Sequence, residues 1–162
     1  MIPSRDFFGV YCATFKYIDE TYGREALEKY WAEYVADQFL QHLEKLVATK
    51  GLEGMYEYWH HALEEEKAGF RLELGERYFR IYLDECPALR WLREHDAMVF
   101  DDYCAHCPAL YSRIMARHGY TWEQEIDREA GSCVATVRAV TPGKPLPEAQ
   151  VRKDSGHMRR DK

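Results

Sequence analysis

Residues Phe70–Leu74 read Phe-Arg-Leu-Glu-Leu, and after Gly75-Glu76 the run Tyr78–Leu83 reads Tyr-Phe-Arg-Ile-Tyr-Leu. The first run alternates apolar and charged side chains, and the second is rich in aromatic and β-branched residues, which favour strands. Glycine between two such runs favours a tight turn. The stretch therefore predicts a β-hairpin, and it marks the point at which the chain changes from helical to alternating periodicity.

The chain before this hairpin has helical periodicity. Apolar and aromatic residues recur at spacings of three and four, with glycines after each series. This pattern predicts three helices that end near Gly23, Gly51 and Gly69, with their apolar stripes facing the core. The second of them is the longest.

The chain after the hairpin is predicted to alternate short helices with strands. Pro87 and Pro108 each follow a cysteine, and proline suits the first position of a helix. The fold class is therefore α+β, with three N-terminal helices packed on a four-stranded antiparallel sheet and two short helices that begin at Cys-Pro. The predicted strands are 70–74, 77–84, 120–127 and 132–140, and their order is left open.

The domain organisation follows from a change in composition near residue 140. Residues 1–140 are predicted to form a single domain, whereas 141–162 are rich in proline and charge and are predicted to form a flexible C-terminal tail. A hydrophobic content of 46% over 162 residues is enough for a real core.

Charge and hydropathy exclude several classes of partner. The net charge is −6 and the pI is about 5.7, which argues against nucleic acid as a partner. No apolar run approaches the roughly 20 residues that span a bilayer, and the N-terminus lacks the features of a signal peptide. The sequence thus predicts a cytoplasmic protein without a membrane partner, acting on a small-molecule substrate or ligand, and it leaves a homo-oligomer open.

Four of the five cysteines lie close together in the second half of the chain. They include a CxxC and two copies of Cys-Pro-Ala-Leu, and the set is Cys86, Cys104, Cys107 and Cys133. An odd number of cysteines without a secretion signal favours a metal, redox or nucleophilic role. As metal ligands the four would suit zinc, which is favoured here over an iron–sulfur cluster. Two alternatives stay open, namely metal-free reactive thiols and buried cysteines that act as small apolar residues.

The placement of two of these cysteines leads to a further expectation. Cys86 and Cys107 precede prolines and are expected at helix N-termini, where free N–H groups and the helix dipole stabilise a thiolate. Cys107 is also expected to be extended, because the following proline disfavours helical geometry.

Several of these motifs together resemble the family of L-2-amino-thiazoline-4-carboxylic acid hydrolases. The residues that carry the likeness are Asp84–Leu89, Tyr103–Cys107, Tyr111, Gly119 and Gly131–Cys133. The chain is also distantly similar to vinyl-reductase-type ligand-binding domains, in which cysteines hold a metal. Membership of the first family would imply that water opens a cyclic isothiourea to give a carbamoyl-cysteine.

Two functional hypotheses follow. In the first, the protein is a hydrolase that opens a C–N bond of a small cyclic amidine, isothiourea or amide. Either Cys104 attacks as a thiolate or a cysteine-bound zinc activates water; His106 moves protons and Asp102 orients His106. In the second, the protein is a small-molecule binding or sensing module with a structural cysteine–metal site, so the sequence leaves open whether it is an enzyme.

Overall fold

The N-terminal half of the protein is helical. The computed structural model describes residues 7–140 and the backbone of a strand at 152–156. Its first helix, α1, spans Phe7–Tyr22, and a second helical region runs from α2 (Arg24–Lys29) through a π-helical turn (Tyr30–Val35) into α3 (Ala36–Phe39). It is followed by α4 (Gln41–Lys50) and α5 (Leu52–Glu65).

The predicted second helix is interrupted, so the expectation of three N-terminal helices is too simple. Leu40 leaves the helical conformation, with φ −102° and ψ 20°. The buried residues of this region are spaced mostly by four; they are Leu27, Trp31, Val35, Leu43 and Val47, with Ala36 beside Val35. In a straight α-helix a spacing of four drifts by about 40° at each step, so these side chains would not stay on one face. The π-helical turn and the break at Leu40 change the helix rotation and keep the stripe inward.

The second half carries the sheet. Strands β1 (Phe70–Leu74) and β2 (Tyr78–Leu83) form the predicted hairpin. They are followed by α6 (Pro87–Glu94), a short 3₁₀ turn, α7 (His106–Arg117) and the hairpin of β3 (Tyr120–Asp127) and β4 (Ser132–Ala139). This confirms the α+β class and the four predicted antiparallel strands.

The strand order, which the sequence left open, is β3-β4-β2-β1-β5, and all pairs are antiparallel. Strand β5 is Arg152–Gly156 and pairs with β1. It falls in the segment 141–162 that was predicted to be a flexible tail; the rest of that segment lies outside the described residues.

The two faces of the sheet differ in chemistry. Alternate residues such as Leu72, Phe79 and Val137 are fully buried and face the helices. The opposite face carries a polar network in which the hydroxyl of Tyr82 donates to Glu73 Oε2 at 3.3 Å. The helix-facing side is therefore the core, and the site described below lies at one end of it.

Within residues 7–140, no helix is both long and apolar enough to cross a membrane.

Candidate functional site

The four cysteines come from four different elements. Cys86 is the N-cap of α6, Cys104 lies in the 3₁₀ turn Tyr103–Ala105, Cys107 lies in the first turn of α7, and Cys133 lies near the start of β4. In the register of the sheet, Cys133 pairs with Leu83 at the end of β2, three residues before Cys86. The end of β2 therefore brings the start of α6 next to the start of β4.

A glycine turn fixes the position of Cys86. Gly131 has φ +74°, a left-handed conformation that glycine adopts without a steric penalty. Its carbonyl oxygen accepts a hydrogen bond of 2.7 Å from the backbone N–H of Cys86. The β3–β4 turn thus holds the N-terminus of α6, and with it the Cys86 thiol.

The N-terminus of α6 favours a Cys86 thiolate, as predicted, but burial disfavours it more strongly. The backbone N–H groups of Ala88 and Leu89 lower the pKa of Cys86, as expected at a helix N-terminus. Burial acts in the opposite direction and is the larger effect, with a further contribution from Cys107, so the pKa of Cys86 is raised to about 11. Cys86 is therefore a neutral thiol near pH 7.

The structure corrects the expected start of α7. This helix begins at His106 with Ala105 as its N-cap, so Cys107 is helical and not extended, and only α6 begins at a Cys-Pro. Pro108 lies in the first turn, where its missing N–H has no intrahelical partner to lose. A residue before proline disfavours helical geometry, but Cys107 is helical here because the 3₁₀ turn runs directly into α7.

His106 contacts Cys107, its neighbour in sequence. Nδ1 of His106 is hydrogen-bonded to the carbonyl oxygen of Tyr103. Because a carbonyl can only accept, Nδ1 carries the proton and Nε2 is left as an acceptor. Nε2 lies 3.5 Å from Sγ of Cys107, so the thiol donates to it. The imidazole is thus held in the tautomer that can take a proton from Cys107.

Aromatic rings surround this pair. The ring centroid of His106 lies 4.6 Å from that of Tyr103, 5.5 Å from Phe15 and 6.4 Å from Trp31. Burial lowers the pKa of His106, and burial raises the pKa of Cys107 to about 12. At neutral pH the pair is therefore an uncharged thiol and an uncharged imidazole.

Asp102 does not orient His106, which corrects the predicted Cys104–His106–Asp102 arrangement. Its two carboxylate oxygens bind arginines: Oδ2 accepts from Arg24, and Oδ1 accepts from Nη2 of Arg128 at 2.5 Å. The Tyr103 carbonyl performs the orienting role that the sequence assigned to Asp102. Asp102 instead joins α2 to the β3–β4 turn beside the thiols.

Neighbouring cysteines contribute to the raised pKa values of Cys104 and Cys133, after burial, which is the larger cause. Burial, with smaller contributions from Cys86 and Cys107, raises the pKa of Cys104 to about 11. The pKa of Cys133 is raised to about 12, mainly by burial and then by Cys107, Cys86 and Cys104. A cluster of all four cysteines stays a prediction.

The metal prediction gains no support from their arrangement. Across residues 7–140, no group of three or more His, Cys, Asp or Glu side chains is placed to hold one metal ion. Zinc bound by Cys86, Cys104, Cys107 and Cys133 stays a prediction.

A cavity of about 590 Å³ opens at the ends of β2, β3 and β4, next to Cys133. Its lining includes Cys133 together with Asp84 and Asp127. The cavity therefore borders Cys133, whereas Cys86, Cys107 and His106 are not among its lining residues.

Two tyrosines that the sequence did not assign to the site flank Cys107. Tyr103 and Tyr111 lie four residues before and after it on one continuous helical segment. Residues four apart lie on one helix face, so this spacing was a usable signal. Neither hydroxyl forms a hydrogen bond with any residue in the described part of the chain.

Alkaline conditions are expected to activate the thiols and destabilise the fold together. The four pKa values of about 11 to 12 lie above the usual 9.0, so the unfolded chain loses these protons first. The stability contribution is therefore complete below about pH 8 and falls from about pH 9 towards pH 12. Alkylation by iodoacetamide should rise about tenfold per pH unit up to pH 11. A rate that levels off near pH 8 would contradict these shifts; Cys12, buried in the core, is the internal reference.

The protein was also compared with known proteins. No protein-family model matches the chain, and no curated protein matches it.

Proposed function

We propose that the protein is a cysteine-dependent hydrolase that opens a C–N bond of a small cyclic amide, amidine or isothiourea. The observation that carries the proposal is the contact between Cys107 Sγ and His106 Nε2, with Nδ1 anchored on a backbone carbonyl. A thiol, an imidazole acceptor and a group that orients the imidazole are the parts required for nucleophilic catalysis. The nucleophile is Cys107, not Cys104, because no hydrogen bond joins Cys104 to His106 among the described residues.

The reaction begins from the neutral pair. As Cys107 Sγ forms a bond to the electrophilic ring carbon, His106 Nε2 takes the thiol proton. The protonated imidazole returns that proton to the ring nitrogen, the C–N bond breaks, and a covalent intermediate remains on sulfur. Water then adds to this carbon, His106 receives and returns a proton, and the C–S bond breaks. The net change is addition of one water molecule across the C–N bond.

An uncharged pair of Cys107 thiol and His106 imidazole suits this sequence of steps. A thiolate is a better nucleophile than a thiol, yet burial makes a permanent thiolate costly at this position. A general base that is itself uncharged receives the proton only when the new bond forms. The low pKa of His106 then favours return of the proton to the leaving nitrogen.

The proposal is tested by incubating the purified protein with 2-iminothiazolidine and with 2-imidazolidinone. Ring-opened product should accumulate over many turnovers, and mass spectrometry of peptides should find transient acylation at Cys107. Turnover should survive 1,10-phenanthroline. Loss of turnover with the chelator would favour a cysteine–zinc centre, and absence of product from both compounds would contradict the proposed reaction.

The alternative of a binding module with a structural metal predicts a different result in the same experiment. The chelator would then lower the melting temperature, because metal binding to cysteines is coupled to folding. What favours it is that Cys107, Cys86 and Cys104 add to the effect of burial in raising the pKa of Cys133.

A further inference from the structure

A trough runs along β4 on the face of the sheet that carries the polar network. Thr136 of β4 pairs with Arg80 of β2 on one side and with Glu123 of β3 on the other. Because the side chains from β2 and β3 are longer than that of Thr136, they form walls on either side of it. A cavity of about 320 Å³ lies between these walls, and Arg138 lines it as well. The space is therefore bounded by side chains of three neighbouring strands.

The trough continues along β4 towards the β3–β4 turn. Two residues before Thr136, Val134 pairs with Tyr82 on one side and with Glu125 on the other. These three residues line both the cavity of about 320 Å³ and the cavity of about 590 Å³ next to Cys133, so the two cavities adjoin. An elongated ligand can therefore lie along β4 across both of them.

The charge that lines the trough changes along its length. At one end, Arg80 and Arg138 line the smaller cavity, and Glu123, 3.9 Å from Nε of Arg138, offsets one of these two charges. At the other end, Asp84 and Asp127 line the larger cavity, and no cation of the described residues lines it. The trough therefore has a cationic end and an anionic end.

Arg80 is held in place at the cationic end. Its Nε donates to Oγ1 of Thr136 at 3.0 Å, and its Nη1 donates to the hydroxyl of Tyr82 at 3.1 Å. Nη1 also lies 3.9 Å from Oε2 of Glu73, which Arg71 binds as well, so two arginines share one carboxylate. Within the described chain Nη2 of Arg80 forms no hydrogen bond. A fixed guanidinium with a free nitrogen can donate to a carboxylate in the cavity.

The carboxylates of the anionic end have free acceptor atoms. Asp84 and Glu125 form no hydrogen bond or ion pair with any residue in the described part of the chain. Asp127 accepts from the backbone N–H groups of Glu129 and Ala130 through Oδ1, at 3.0 Å each, and in residues 7–140 its Oδ2 has no partner. Three carboxylates around one cavity repel one another, and an ammonium group between them would offset that repulsion.

We propose that the trough binds a short peptide in extended form, with the α-carboxylate of the peptide on Arg80 and its α-ammonium group between Asp84 and Asp127. Thr136, beside Arg80, and Ser132, which pairs with Asp127, mark the two ends on β4. They lie four strand residues apart, which is about 13 Å. An extended tetrapeptide is about this long, so both of its terminal charges reach their partners together.

The middle of the trough is bordered by Val134 and Tyr82, which favour small apolar side chains in the peptide. Tetraalanine is therefore a suitable probe. The inference does not rest on the proposed hydrolase reaction, since neither Cys107 nor His106 lines either cavity.

Three matched probes test the proposal, namely tetraalanine, N-acetyl-tetraalanine and tetraalanine amide. The first carries both terminal charges, and each of the others lacks one of them. In calorimetry at pH 7 with the wild-type protein, tetraalanine should have the lowest Kd. Loss of either charge should raise Kd about tenfold or more, the usual effect of losing a hydrogen bond between charged groups. A Kd for either derivative as low as that of tetraalanine, or no saturable binding of tetraalanine at millimolar concentrations, would overturn the inference.

Two variants identify the partner of each terminal charge. Asp84→Asn should weaken tetraalanine about fivefold and leave the N-acetyl derivative unchanged, and Arg80→Gln should weaken tetraalanine about fivefold and leave the amide unchanged. Asp19→Asn is the matched control, because it removes the same charge from α1, outside both cavities, and it should leave every Kd unchanged. Equal Kd values of tetraalanine for Asp84→Asn and wild type would contradict the proposed position of the ammonium group. The probe comparison uses the wild-type protein, so it decides the inference even if Arg80→Gln fails to fold.

Discussion

Replacing Cys107 with serine is expected to lower kcat for ring opening by about 10³-fold or more, with little change in stability. Serine keeps a donor for His106 Nε2, but its hydroxyl ionises far less readily than a thiol. The substitution exchanges sulfur for the smaller oxygen and opens no large cavity, so the fold should persist. Steady-state kinetics beside urea unfolding measures the two effects separately.

Two cysteine variants serve as controls for this prediction. Cys133→Ser changes a thiol that forms no hydrogen bond with His106 in the described structure, and it should retain most of the activity. Cys104→Ser tests the nucleophile predicted from the sequence, whereas Cys107→Ser tests the nucleophile proposed from the structure. If Cys104→Ser abolishes turnover while Cys107→Ser does not, the nucleophile is Cys104 and the assignment from geometry is wrong.

Replacing Gly54 with alanine is expected to destabilise the protein by about 3 kcal/mol or more. Gly54 is buried in α5, and a methyl group there would lie 2.3 Å from the backbone oxygen of Leu46 in α4. A backbone atom inside a helix cannot rotate away, so α4 and α5 would have to separate. The free energy of unfolding from urea titration measures the loss.

Gly9→Ala is the matched control, since Gly9 lies in α1 and nothing in the described structure comes within 4 Å of an added methyl group. Alanine is the better helix former by about 1 kcal/mol, so this variant should be more stable than the wild type. Helix propensity alone predicts stabilisation at both glycines. If Gly54→Ala lowers the free energy of unfolding while Gly9→Ala raises it, the difference comes from the close approach of α4 and α5. A Gly54→Ala protein that is more stable than the wild type would contradict this close approach.

The strands were predictable because one face of the sheet is buried and the other is polar. Along Phe70–Leu74 and Tyr78–Leu83 this difference appears as alternation, and the observed bounds agree with the prediction within a residue. The break at Leu40 was not predictable from periodicity, because Leu43 and Val47 continue the spacing of Leu27 and Trp31. Strand order was open because antiparallel hairpins with alternating faces can join in several ways.

The contact between His106 and Cys107 was not predictable from the sequence. Adjacent residues on a helix do not normally face each other, so helical spacing does not predict a contact between His106 and Cys107. Their contact depends on the His106 ring orientation, which the Tyr103 carbonyl sets. Asp102 lies close in sequence, but Arg24 and Arg128 bind it, and a partner 78 residues away cannot be identified from local pattern.

The pairing of β2 with β4 also determines when the site can exist during folding. Each hairpin, β1–β2 and β3–β4, closes a short loop, whereas joining them must close the long segment that contains α6 and α7. The entropy cost of that closure makes it a slow step compared with hairpin formation. Cys86 lies on one side of this junction and Cys133 on the other, so a partly folded chain with two hairpins has not yet brought these two residues together. Protection of Cys86 and Cys133 in a pulsed alkylation experiment would consequently follow the pairing of β2 with β4, after the two hairpins have formed.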